Sequence, residues 1–270
     1  MRRILFIAVG LLLASPAWAN QYDDCNQNAD KNRTIRGCTY IINSDSESSK
    51  TRSFAYNNRG FAYRRQKQYR RAIQDYDQAI RLNPRDAVAY NNRGIAYGDL
   101  KQHRRAIQDY DQAIRLNPKY AKAFNNRGIA YGDLKQHRRA IQDYDQAIRL
   151  NPNYAQALNN RGGTYADLNQ NRRAIQDYNV AIRLNPRFAN AYKNRGFAYS
   201  RLNQNRRAIQ DYNVAIRLNP RFANACALRG LAYERLGKKQ LAIRDYRKFL
   251  NLRPGNKFGI AGLKRLGVKP

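Results

Sequence analysis

Proline recurs at Pro84, Pro118, Pro152, Pro186, Pro220 and Pro254, each 34 residues after the last. A fixed period of this size marks stacked copies of one supersecondary unit rather than a single closed core. The text repeats as well as the spacing: NNRGIAYGDLKQHRRAIQDYDQAIRLNP at 91–118 returns unchanged at 125–152, and NQNRRAIQDYNVAIRLNPRFANA at 169–191 returns at 203–225. Identity of that kind points to recent duplication more than to demands on each residue. Within a copy, NNRGIAYGDL and RRAIQDYDQAIRL each carry an apolar stripe at helical spacing, and the polar KQH between them reads as a turn. Asn followed by Pro ends the second helix, because proline disfavours the helical region for the residue before it and cannot donate the next bond. Each copy is therefore expected to be a helical hairpin. Six units follow: 53–86, 87–120, 121–154, 155–188, 189–222 and 223–256.

The chain of 270 residues is 43% hydrophobic and carries 51 Lys and Arg against 19 acids, a formal charge of +32. Such a charge bears on solubility and on anionic partners, not on fold. The start, MRRILFIAVGLLLASPAWA, joins Arg2 and Arg3 to an apolar run from Ile4 to Ala14 and the small-x-small end Ala17-Trp18-Ala19. This is the pattern of a Sec signal peptide cleaved after Ala19; a twin-arginine signal is the weaker reading. The run is about half the roughly 20 residues a spanning helix needs. No second membrane segment follows, so a periplasmic or secreted mature protein without a transmembrane segment is expected.

In the second unit, Tyr90, Gly94, Tyr97, Ala106, Tyr110, Ala113 and Pro118 stand at positions four, eight, eleven, twenty, twenty-four, twenty-seven and thirty-two. This pattern, whose Gly, first Ala, both later Tyr and Pro recur in phase in all six units, resembles the tetratricopeptide repeat. The resemblance implies an all-α fold, a right-handed superhelical solenoid of antiparallel helix pairs. Small residues at Gly94 and Ala106 let two backbones approach while Tyr97 and Tyr110 fill the space beside them, so the tyrosines read as core before cofactor site. The chain departs from the family at position seven, where the usual leucine is Arg59, Arg93, Arg127, Arg161, Arg195 and Arg229. Asp75, Asp109, Asp143, Asp177, Asp211 and Asp245 stand at position twenty-three of the same units. An Arg–Asp pair linking the helices of each hairpin is expected, with arginines left open for an anionic ligand as the alternative.

Residues 20–52 are expected to hold a degenerate N-terminal capping repeat and a linker, with NSDSESSKTRS at 43–53 as its polar stretch. Aligned on the family, Cys38 takes the aromatic place of the second helix and Cys25 position eleven of the first, facing sites where a disulfide can replace the aromatic contact. An oxidising compartment suits that bond; free core thiols are the alternative. Cys226, at position four of the last unit, reads as a buried thiol. Residues 257–270 are expected to form a capping helix, since an exposed apolar end of an array invites aggregation.

Catalysis finds little support. His103 and His137 are copies of one turn position with no ligand cluster beside them, and no phosphate loop, HExxH or GxSxG occurs. Neither a catalytic residue, a metal site nor a cofactor is expected.

In the family, the inner face comes mainly from first-helix positions two, five, six, nine, twelve and thirteen, where long arrays can hold an extended peptide on a ladder of asparagines. Here position six carries Asn58, Asn92, Asn126, Asn160 and Asn194, and position five carries Asn57, Asn91, Asn125 and Asn159. Amides offer donor and acceptor together, which suits a peptide backbone; the alternative is local bonding multiplied by duplication. Lys122 and Lys193 put cations on that face, suited to an acidic side chain or terminal carboxylate. The family's clamp for chaperone tails wants Lys and Asn at positions five and nine of one unit, where Asn57 with Phe61, Asn91 with Ile95 and Asn125 with Ile129 stand instead. Chaperone-tail binding is therefore not expected. Phe61, Ile95, Ile129, Phe197 and Leu231 at position nine offer shallow apolar pockets or packing between repeats.

Basic pairs open the second helices: Arg70 and Arg71, Arg104 and Arg105, Arg138 and Arg139, Arg172 and Arg173, Arg206 and Arg207. Arg81, Arg115, Arg149, Arg183 and Arg217 stand near their ends. These stripes suit acidic polysaccharide, lipid headgroups or nucleic acid, or simply solubilise the protein. Export argues against intracellular nucleic acid. Two functions remain: an exported adaptor holding an extended protein segment in its groove, an acidic one where the lysines contact it, or a basic envelope protein binding an anionic polymer or membrane surface through its arginines.

Overall fold

The computed structural model describes residues 17–27 and 30–269, which contain fifteen α-helices and no strand. Of the expected signal, residues 1–16 lie outside that description. The chain divides into two compact units, Met1–Asn117 and Pro118–Pro270. Among the described residues, no helix is long and apolar enough to cross a membrane.

The first unit runs α1 Ala17–Asp24, α2 Lys31–Asn43, α3 Ser49–Arg65, α4 Tyr69–Leu82, α5 Ala87–Asp99 and α6 His103–Leu116. Cys25, just past the end of α1, is disulfide-bonded to Cys38 of α2 with Cα atoms 4.6 Å apart. Gly37 lets the α1 segment come close: a Cβ there would stand 2.6 Å from the Gln21 carbonyl oxygen. The stretch expected to be linker is largely helix. Ser48 accepts a hydrogen bond from the Thr51 amide and so starts α3 inside it, leaving 44–48 as the connection.

The second unit runs α7 Ala121–Asp133, α8 His137–Leu150, α9 Ala155–Asp167, α10 Asn171–Leu184, α11 Ala189–Arg201, α12 Asn205–Leu218, α13 Ala223–Arg235, α14 Lys239–Leu252 and α15 Lys257–Arg265. Cys226 is fully buried here, and burial pushes its thiol above the usual range. Leu263 of α15 is buried, and the ring of Tyr246 lies where a Cβ on Gly262 would stand, at 2.6 Å.

Both units use one hairpin design. At position eight the backbone lies directly on the tyrosine of position twenty-four: a Cβ on Gly94 would stand 2.7 Å from the Tyr110 ring, and one on Gly128 2.7 Å from Tyr144. Turns reverse through a residue of positive φ, as at Lys101 with φ 61° and Lys135 with φ 60°. The amide of the residue just before the next helix closes back on the first helix, as in Gln136 N to Tyr131 O at 2.8 Å. The buried core is mainly alanine and tyrosine.

Candidate functional site: the first-helix face

The position-seven arginines form a framework. All six pair with the aspartate of their own hairpin: Arg59–Asp75, Arg93–Asp109, Arg127–Asp143, Arg161–Asp177, Arg195–Asp211 and Arg229–Asp245, at 2.6 to 2.8 Å. Each pair is a fork-to-fork bond, as in Arg195 Nε to Asp211 Oδ2 at 2.8 Å and Nη2 to Oδ1 at 2.7 Å. The remaining nitrogen reaches the preceding repeat, Arg93 to Asp77 and Arg161 to Asp145 at 2.6 Å, Arg229 to Asn213 at 2.7 Å. With both carboxylate oxygens held, these arginines serve the fold.

The asparagines bond to each other. In the second unit they form a directed string: Asn194 Nδ2 donates to Asn159 Oδ1 at 2.9 Å, Asn159 to Asn160 at 3.5 Å, Asn160 to Asn125 at 3.0 Å and Asn125 to Asn126 at 3.3 Å. In the first unit Asn92 donates to Asn57 at 3.1 Å. Asn58 is only 1% exposed; its amide donates to the Cys25 carbonyl at 2.8 Å and accepts from Gln27 at 2.9 Å. Asn57, Asn58, Asn91 and Asn125 are buried. Of the asparagines expected on a ligand-binding ladder, these four are closed over by neighbouring helices. Asn92, Asn126, Asn159, Asn160 and Asn194 stay partly exposed.

Along the same face of the second unit, Ile129 and Phe197 are 41% and 39% exposed. Gly163 takes position nine between them, and the nearest atom to a Cβ there is the Tyr178 hydroxyl, 4.0 Å away. Gly132 is equally open. Packing explains neither glycine. Lys193 interrupts the string: the next repeat offers Ala227 and Leu228 where asparagines would stand. Burial holds its ammonium below the usual lysine range. Lys122 is exposed on α7.

Tetratricopeptide-repeat profiles match residues 53–86, 87–120, 121–154, 143–176, 189–222 and 223–256, and a TPR-repeat profile matches 162–203. The chain belongs to the tetratricopeptide repeat family. Among solved structures, it resembles a chain of the APC/C hetero-tetramer Cut9-Hcn1 with TM-score 0.77 and 20% identity, over 88% of this chain and 46% of that one. A tetratricopeptide repeat protein from Parabacteroides merdae ATCC 43184 matches with TM-score 0.70 and 21% identity, over 92% and 96%. YrrB, described as a TPR protein with an unusual peptide-binding site, matches with TM-score 0.56 and 20% identity, over 71% and 99%. These likenesses show the solenoid fold. No curated protein matches the sequence significantly.

The arginine pairs of this tetratricopeptide array, Arg70 and Arg71 through Arg206 and Arg207, are all exposed where second helices begin. They lie off the first-helix face. The second of each pair stacks on the position-eleven tyrosine, as Arg105 does 5.8 Å from the Tyr97 ring centre. That tyrosine is therefore half-buried platform rather than closed core. His103 and His137 begin α6 and α8, and among the described residues no group of His, Cys, Asp or Glu is placed to hold a metal.

Proposed function

We propose that this is an exported scaffold whose first-helix face in the second unit holds an extended protein segment. The observation carrying this reading is the asparagine string. An amide has two N–H groups and two acceptor lone pairs, and the string uses one of each at Asn159 and Asn160. What remains is held in fixed orientation, so little rotamer freedom is lost on binding. Asn159, Asn160 and Asn194 bond the segment's backbone; Ile129 and Phe197 take side chains, and the space over Gly163 lets the backbone come close. Lys193, half-buried beside apolar neighbours, pairs with an acidic side chain of the segment. The peptide-binding description of YrrB is compatible with this use of the fold, and the signal-like start supports export to the periplasm or beyond.

Randomised 12-residue peptides selected on the full chain test it. Ile129→Ser with Phe197→Ser leaves the core untouched and is expected to weaken selected peptides at least about tenfold, the loss of roughly 1.4 kcal/mol. Lys193→Met is expected to weaken only acidic ones. Peptides that bind both variants as tightly as the parent would refute the groove. Recovery of mature protein beginning at Asn20 outside the cytoplasm checks export.

A further inference from the structure

Three clefts of one design recur in the second unit, each where a second helix begins. Residues 135–139 with Leu168 enclose about 510 Å³, 169–173 with Leu202 about 450 Å³, and 203–207 with Leu236 about 490 Å³. No carboxylate lines any of them. Each holds two arginines in different states. Arg173 is pinned, its Nη1 donating to Gln170 Oε1 at 3.0 Å and its guanidinium lying 5.8 Å from the Tyr165 ring centre. Arg139 and Arg207 are held alike, by Gln136 and Gln204 and over Tyr131 and Tyr199. Their neighbours Arg138, Arg172 and Arg206 are exposed and make no ion pair among the described residues.

We propose that these clefts are a second binding surface, separate from the first-helix face, for a linear acidic polysaccharide. A guanidinium already fixed by a ring and an amide presents its open N–H edge without losing rotamer freedom, and that edge matches a carboxylate. The amides that share the clefts, such as Gln170 and Asn169, carry donors and acceptors suited to sugar hydroxyls. The tyrosine rings are covered by arginine, so no open aromatic face offers the base stacking that single-stranded nucleic acid uses. The leucines sit in the cleft walls and do not form the apolar face that a bilayer-binding helix buries. Clefts one repeat apart suit a polymer with regularly spaced charges, since occupying one raises the effective concentration at the next.

The test compares two variants of the full chain with equal charge change. Arg139→Gln, Arg173→Gln and Arg207→Gln remove the fixed guanidinium of each cleft. Arg149→Gln, Arg183→Gln and Arg217→Gln remove exposed arginines outside the clefts. Titration of polygalacturonate oligomers by calorimetry at about 50 mM salt, where exposed charges are weakly screened, is expected to show at least a tenfold loss for the cleft variant and less than threefold for the other. Helicity by circular dichroism should match the parent in both. Equal losses would reduce the effect to net charge and overturn the proposal. So would absence of binding by the parent, or tighter binding of a polyphosphate, an oligonucleotide or anionic phosphatidylglycerol vesicles. Groove peptides should bind the cleft variant unchanged.

Discussion

Arg161 holds both carboxylate oxygens of Asp177, Nε to Oδ2 at 2.9 Å and Nη2 to Oδ1 at 2.6 Å, while Nη1 reaches Asp145 of the repeat before at 2.6 Å. The Asp177 hydrogen bond, helped by Asp145, holds this guanidinium well above the usual arginine range. Arg161→Leu leaves Asp177 buried without a partner and is expected to cost about 3 kcal/mol. Arg161→Lys keeps the charge and loses the fork, so it should also destabilise. Replacing both residues, Arg161→Leu with Asp177→Leu, should recover most of the loss. Urea denaturation followed by circular dichroism measures all three; a single Arg161→Leu that costs nothing would remove the framework role.

Two classes of glycine should respond in opposite directions. A Cβ at Gly98 meets nothing within 4 Å, and at Gly132 only the Tyr144 hydroxyl at 4.0 Å. Alanine at either should stabilise its helix by about 1 kcal/mol. At Gly128 a Cβ stands 2.7 Å from the Tyr144 ring, and alanine there should destabilise by about 1–3 kcal/mol through overpacking. Denaturation midpoints separate the classes. Gly163→Ala should stabilise the fold and weaken groove peptides.

A disulfide within the cap and an amide from α3 tie its first helix segment down. Cys25–Cys38 closes a sequence separation of 13, and Asn58 binds the Cys25 carbonyl at 2.8 Å. Replacing both cysteines by serine is expected to cost the cap about 3 kcal/mol. Hydrogen exchange should accelerate in α2 and the start of α3 and leave the second unit unchanged. Acceleration throughout the chain would instead mean that the array unfolds as one cooperative body.

Lys193 gives a pH signature. Its folded pKa is depressed by burial, so its contribution is present above the unfolded lysine value near about 10.4 and lost as pH falls through the folded value. Wild type should lose stability across that alkaline window as pH drops. Lys193→Met should lack this component and be more stable at pH 7, by about 1 kcal/mol, with a midpoint about 2–4 °C higher. An acidic groove peptide should narrow the difference.

Much of this protein could be read along the chain. Evenly spaced prolines and two apolar stripes per copy determined the helical hairpins, because helix periodicity and helix termination are local properties of the backbone. The Arg–Asp pairs were also legible, since an arginine at a leucine position needs a partner and aspartate stands at the same place in six copies. The asparagines were not. Asn58 and Asn160 occupy the same repeat position, yet one is spent on the Cys25 carbonyl and the other remains partly open. Nor could the sequence separate Gly128, pressed against Tyr144, from Gly132 four residues later, where there is room. One helix turn fixes which residues share a face. Which of them water reaches was decided by the neighbouring helices, whose packing leaves no trace in local periodicity.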